Sequence, residues 1–280
     1  MRAFLFSGRI AASCVSLSIA AGVIAQAQSA PERVIAWGSQ SFDGRLRGER
    51  FVEVSAGYGH SVARRADGSV AVWGFNYSNQ ISVPVPPPGM RYEQIAAGAH
   101  HTLAVRSDGN VGAWGFNLAG QTNVPALPGG VSYQQVAAGY LHSAALRSDG
   151  GVVVWGDSSD QQDRVPVLPP GVRYLRVAAG ERHNVALRSD GVVVAWGWNL
   201  DGQCNVPTLP SDCITVAAGF RHSLALFSDG SILTWGSNGD GERNVPALPP
   251  GVRYVSLVAG GRQSIAFRSD GVMVVWGWNY

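Results

Sequence analysis

The sequence predicts an all-β fold, a β-propeller of short antiparallel blades. Three observations predict it. One phrase recurs six times, beginning at Gly57, Gly98, Gly139, Gly180, Gly219 and Gly260, and from Trp73 onward the Trp-Gly pairs that end it lie 41, 41, 41, 39 and 41 residues apart. A period near forty marks stacked or radially arranged copies of one supersecondary unit. Each copy also sets Asp-Gly between apolar runs, the signal of a tight hairpin. Finally, no stretch carries the helical period, and Gly and Pro interrupt every run long enough to form a helix.

In chain order, residues 1–27 come first and are expected to be a secretory signal. Arg2 and Arg9 form a positive start, Ile10 to Ile24 is mostly apolar, and Ala25-Gln26-Ala27 suits cleavage. The apolar run is short for a membrane span. Cys14 lies inside that run without the upstream Leu of a lipoprotein site. Residues 28–33 are a short linker, and 34–280 form one propeller domain. The expected product is exported, to the periplasm, the cell surface or the medium.

Within one copy, Val177 to Gly180 is a first strand running into a Gly turn, and His183 to Leu187 is a second. Ser189-Asp190-Gly191 is the hairpin, and Val192 to Gly197 is the third strand. The third strand is apolar at every position, as are Val152 to Trp155 and Val272 to Trp276, which predicts burial on both faces. Asn205-Val206-Pro207 leads to the outer edge, where Pro is tolerated. Seven Trp-Gly strands, starting with Val34-Ile35-Ala36-Trp37-Gly38, stand against six hairpin units. The template is therefore seven-bladed with its last blade incomplete, the alternative being six blades and a spare strand.

Composition narrows function. Formal net charge is +2 and all 21 basic residues are Arg. This balance gives no electrostatic reason to expect nucleic acid or an anionic membrane as partner. The absence of Lys removes Schiff-base chemistry. After signal cleavage no segment could span a membrane, and no cofactor motif is present. Cys204 and Cys213 share one connecting segment, and an oxidising compartment favours a disulfide between them.

The recurring phrase resembles the repeat of the regulator of chromosome condensation family. Its string stands here as Ala218-Gly219-Phe220-Arg221-His222-Ser223-Leu224-Ala225-Leu226, and as Asp190-Gly191 running through Trp196-Gly197 to Gly202-Gln203. The likeness covers Val34 to Tyr280. The compact period and the Val-Pro link most resemble the short bacterial version, of which the secreted β-lactamase inhibitor protein II is the familiar example. The resemblance implies a seven-bladed propeller that serves as a protein-binding platform, without naming the target. Inhibition of a β-lactamase is one function it implies.

His60, His101, His142, His183 and His222 recur at one position, with Gln263 in the last copy. A ring of blades cannot converge them to metal-ligand distance, so each is expected to be a structural donor to a backbone carbonyl beside the Gly turn. Several are followed by Ser, but adjacent strand residues face opposite ways, so His and Ser neighbours cannot pair as base and nucleophile. Trp73, Trp114, Trp155, Trp196, Trp235 and Trp276 are expected to pack between blades. No catalytic or metal site stands out, and the chain is read as a non-enzyme.

What varies between copies points to binding. Between the Gly and the recurrent His the chain reads Tyr58-Gly59, Ala99-His100, Tyr140-Leu141, Glu181-Arg182, Phe220-Arg221 and Gly261-Arg262. After Trp-Gly it reads Ser39, Phe75, Phe116, Asp157, Trp198, Ser237 and Trp278. Equivalent turns of a repeat face one rim, and aromatic and Arg residues dominate binding hot spots. Tyr58, His100, Tyr140, Arg182, Phe220 and Arg221 are therefore the expected partner contacts, with Trp198 and Trp278 on a neighbouring loop. The expected partner is a protein bound by a monomer. A carbohydrate-binding or surface-adhesion module, or a piece of a larger exported protein, is the alternative.

Overall fold

The computed structural model describes Ala11–Ala12, Ile35–Ala36 and residues 49–278 apart from Ser211. Cys14, Trp37 and the rest of the expected signal and linker lie outside the described residues. Strands β1 (Ala11–Ala12) and β2 (Ile35–Ala36) pair in parallel. Of the strand expected over Val34 to Gly38, only this pair is described. The described residues hold no helix, and so none long and apolar enough to cross a membrane.

Six three-stranded antiparallel sheets follow. They are β3 (Glu53–Ala56), β4 (His60–Arg64) and β5 (Val70–Gly74); β6 (Tyr92–Ala97), β7 (His101–Arg106) and β8 (Val111–Gly115); and β9 (Tyr133–Ala138), β10 (His142–Arg147) and β11 (Val152–Gly156). The later three are β12 (Tyr174–Ala179), β13 (His183–Arg188) and β14 (Val193–Gly197); β15 (Cys213–Ala218), β16 (His222–Phe227) and β17 (Ile232–Gly236); and β18 (Tyr254–Gly260), β19 (Gln263–Arg268) and β20 (Met273–Gly277). First strands of successive sheets face one another, so they are innermost and the third strands outermost.

The hairpins form for a local reason. At Arg106-Ser107-Asp108-Gly109, Gly109 takes φ +75°, the left-handed region that Gly adopts without cost. The Asp108 carboxylate accepts the Asn110 N–H at 3.0 Å and pairs with Arg106. Near the axis the constraint is space. A Cβ on Gly98 would lie 2.7 Å from the Gly139 carbonyl oxygen and against the His101 ring, so successive inner turns approach too closely for a methyl group.

Apolar clusters fill each gap between sheets. One joins Leu103 and Val105 to Tyr133, Val136 and Trp155. Another joins Val258 and Ile265 of the sixth sheet to Val54 and Trp73 of the first and to the preceding Phe51. The repeated Trp side chains are buried in these gaps, as expected.

Two sequence expectations are corrected. Full burial belongs to the second strands, such as His183–Arg188, and not to the third, most of whose residues are half-buried and where Val275 is exposed. The third strand is the edge of its blade, and what covers it is the link to the next one, whose Val206 and Leu209 are half-buried. The second correction concerns Cys204 and Cys213, which are free thiols. The Cys204 Sγ lies by the Gly197 and Trp198 carbonyls, where the third strand ends. Cys213 pairs with Phe227 at the hairpin end of the next blade. The connecting segment runs from one end of the molecule to the other and holds the sulfurs apart. Burial pushes the thiols up, Cys204 to about 12 and Cys213 to about 11.

Candidate functional site: the rim at the histidine end

Strand pairing decides which loops share an end. Each recurrent His opens a second strand and pairs with the Gly that closes the third, as His183 does with Gly197. The residue after that Gly donates its N–H to the residue before the His. Phe75 binds Gly59 O at 2.7 Å, Phe116 binds His100 O at 2.8 Å, and Asp157 binds Leu141 O at 2.9 Å. Trp198 binds Arg182 O and Trp278 binds Arg262 O, both at 2.9 Å. The two variable sets are thus hydrogen-bonded to each other on one rim.

Beneath the rim lies a buried relay that explains the His positions. His101 Nε2 meets Ser143 Oγ of the next blade at 3.0 Å, and Ser143 donates to the Gln121 carbonyl at 2.8 Å. Trp155 Nε1–H donates to that same carbonyl at 2.9 Å. Because the Ser proton is committed, His101 must donate from Nε2. The arrangement recurs for His60 with Thr102, His142 with Asn184, His183 with Ser223 and His222 with Ser264. The partner is therefore a side chain of the neighbouring blade, not the backbone carbonyl expected from the sequence. Alternation of side chains sends Ser143 away from His142 and towards His101. Burial holds the rings neutral, pushing His101 and His183 down to about 3 and His60, His142 and His222 down to about 4. Their Nδ1 atoms are buried without a partner among the described residues. A cross-blade His–Ser pair with no solvent access stitches the ring and offers no nucleophile to a substrate.

On the surface, the rim is divided into two sectors. His100 is the hub of the first. Its ring meets Tyr58 at 5.9 Å, Tyr140 at 6.0 Å and Phe116 at 6.2 Å, each edge-on. Phe75 and Tyr77 form a further pair at 5.4 Å. Tyr58 is 60% exposed and Tyr77 88%. The second sector is charged. Arg182 pairs with Asp160 at 3.1 Å, Arg221 lies near Glu181 at 3.7 Å and Asp201 at 3.9 Å, and Arg262 pairs with Asp240 at 3.2 Å. The Arg221 guanidinium also stacks over Trp198, 4.9 Å from the ring centre.

The expected contact residues are brought together in two depressions. Tyr58, Tyr140 and Phe220 line the axial mouth with the inner Gly turns. Tyr140, Arg182, Trp198 and Arg221 line an adjacent hollow of about 240 Å³ with Leu141 and Glu181. Trp278 stands at the same end on the sixth sheet, 45% exposed. Sequence reasoning missed Asp160, Asp201 and Asp240 as the acids that fix the rim arginines. The available signal was their common place two residues before the recurrent Gln162, Gln203 and Glu242. Among the described residues no group of His, Cys, Asp or Glu gathers as a metal ion requires.

A family model described as the regulator of chromosome condensation (RCC1) repeat matches residues 51–80, 92–121, 133–162, 175–203 and 213–242, just over half the chain. No curated protein sequence matches. Among solved structures, Prp20p from Saccharomyces cerevisiae is similar with a TM-score of 0.71 and 23% identity, over 81% of this chain and 72% of that one. The CRINKLY WD40 ectodomain of the Arabidopsis thaliana receptor kinase ACR4 has a TM-score of 0.62 and 22% identity, over 81% and 79%. Human WBSCR16 has a TM-score of 0.65 and 21% identity, over 79% and 74%. At such identities the likeness is one of fold.

Proposed function

The chain belongs to the regulator of chromosome condensation repeat family, and from that premise we propose that it is an exported, non-enzymatic propeller that binds a protein partner through the rim at its histidine end. One observation carries the reading. The residues that differ between copies lie on one end of a repeated scaffold, and Tyr58, His100 and Tyr140 meet there ring to ring, Tyr58 exposed and the other two half-buried. Exposed aromatic clusters of this kind mark interaction sites.

Two further facts support it. Prp20p, similar in fold, is described by its binding to Gsp1p and histones, and yeast RCC1 (Prp20) by its complex with Kap60. The recurrent His rings, with Ser143 and Ser223, are consumed in the buried relay. Export rests on the N-terminal pattern Arg2, Arg9 and Ala25-Gln26-Ala27.

The test is a pull-down from the envelope fraction of the source cells, with wild type and a Tyr58→Ala, Tyr140→Ala double variant. A protein retained by wild type and lost with the double variant supports the reading. Equal retention by both removes the rim from the binding surface. A glycan array run beside it, and an inhibition assay against several β-lactamases, separate the carbohydrate and inhibitor alternatives.

A further inference from the structure

We propose that the end opposite the rim holds a second site, which binds a small phosphorylated molecule through Arg173 and Arg176. The observations start from a repeated position on the inner strands. Gln94 stands there on β6 and uses its whole amide to grip the next blade. Its Oε1 accepts the Val136 N–H at 2.7 Å and its Nε2 donates to the Val136 carbonyl at 3.1 Å. Gln135 does the same to Val177 at 3.2 and 2.9 Å. On β12 the residue in this place is Arg176. A guanidinium has no acceptor and cannot close such a pair. Arg176 instead donates to the neighbouring Leu175 carbonyl at 2.9 Å. The scaffold reason for the residue has gone, and a cation has been placed where an amide would hold the ring.

Arg173 also stands without an acid. Just before β6 the equivalent Arg91 is paired with Glu93 at 3.2 Å, whereas Arg253 of the sixth copy, like Arg173, has no ion pair among the described residues. On β12 the residue two along is Leu175, and among the described residues neither Arg173 nor Arg176 forms an ion pair.

Both arginines line a hollow of about 370 Å³ beside the Asp149-Gly150 hairpin. Gln134 and Ser148 add polar groups, Leu146 and Leu175 give an apolar wall, and among the described residues no Asp or Glu lines it. That volume suits a small organic ligand rather than a bare ion. Two forked guanidiniums with no competing carboxylate match the two charges of a phosphomonoester. The hollow lies at the hairpin end, so the site stands independently of partner binding at the rim.

The test is a calorimetric or NMR titration of the full chain with glucose 6-phosphate, inorganic phosphate and glucose. Glucose 6-phosphate is expected to bind, more weakly as salt rises, and glucose not at all. Arg176→Gln is the decisive variant, because Gln is already resident at this position in two copies and is expected to fold. It should weaken glucose 6-phosphate by about tenfold or more while the thermal midpoint holds or rises. Arg173→Ser, after Ser132 in the preceding copy, should weaken it likewise. Binding by inorganic phosphate as tight as by glucose 6-phosphate would reduce the site to an anion contact and overturn the ligand class. Absence of any phosphate binding at millimolar concentration, or unchanged binding by Arg176→Gln, would overturn the site.

Discussion

Replacing Ser143 by Ala would leave the His101 Nε2–H buried without its acceptor and take one donor from the Gln121 carbonyl. The expected loss is about 1–3 kcal/mol, the penalty of an unpaired buried polar group, read from urea unfolding. Asn184→Ser should cost much less, since Ser fills that place in three other relays. The same rings set the acid limit of the fold. Their folded values, about 3 to 4, lie below the ordinary 6.5 because burial disfavours the charged form. The unfolded chain therefore takes up protons first. Above pH 6.5 both states are neutral and stability is complete. As pH falls from 6.5 towards 4, and for His101 and His183 towards 3, each ring costs up to about 1.4 kcal/mol per pH unit. His101→Gln, copying Gln263, should shallow this dependence by one proton, as measured by unfolding midpoints between pH 7 and 4.5. An unchanged slope would show that His101 is not neutral in the fold. The His positions were legible as structural from their recurrence with a Gln substitute. Their partners were not, because a hydrogen bond between residues 40 or 42 apart leaves no mark until the blades are set side by side.

Four of the six described blades are tied to the link that precedes them by a tyrosine hydroxyl. Tyr133 donates to the Pro125 carbonyl at 2.7 Å, and Tyr92, Tyr174 and Tyr254 do the same to Pro84, Pro166 and Pro246. This pin holds the Val-Pro link over the third strand, where Val124 and Leu127 are half-buried. Tyr133→Phe is expected to lower stability by about 1 kcal/mol and to speed protease cleavage within residues 122–130. No change in either would show that apolar contact alone holds the link. Cys213 occupies the tyrosine position in the fifth blade, and its hydroxyl pin is lost there. At this scale the sequence was read well for strand order and hairpins, because Asp-Gly and the 41-residue period are local signals. It was misread for depth. An unbroken apolar run such as Val152 to Trp155 fits a doubly buried strand and an edge strand under a covering link equally well. Cys204 and Cys213 were misjudged for the same reason: nearness in sequence says nothing when the intervening link crosses from one end of the molecule to the other.

In the whole molecule, twin ends do different things. The histidine end carries the variable loops, divided into an aromatic sector around His100 and a charged sector around Arg182, Arg221 and Arg262. The hairpin end repeats neutral Arg–Asp pairs such as Arg147 with Asp149, interrupted by the unpaired Arg173 and Arg176. The sharing of one rim was legible from repeat equivalence. The division into sectors was not, because it depends on which acids reach which arginines across neighbouring loops. Site-directed photocrosslinking in the source cells is the most direct test of the rim as the partner surface. A crosslinking residue at Tyr140 should capture a discrete protein, and one at Asp149 on the opposite end should not. Capture from position 149 alone, with none from position 140, would contradict the account.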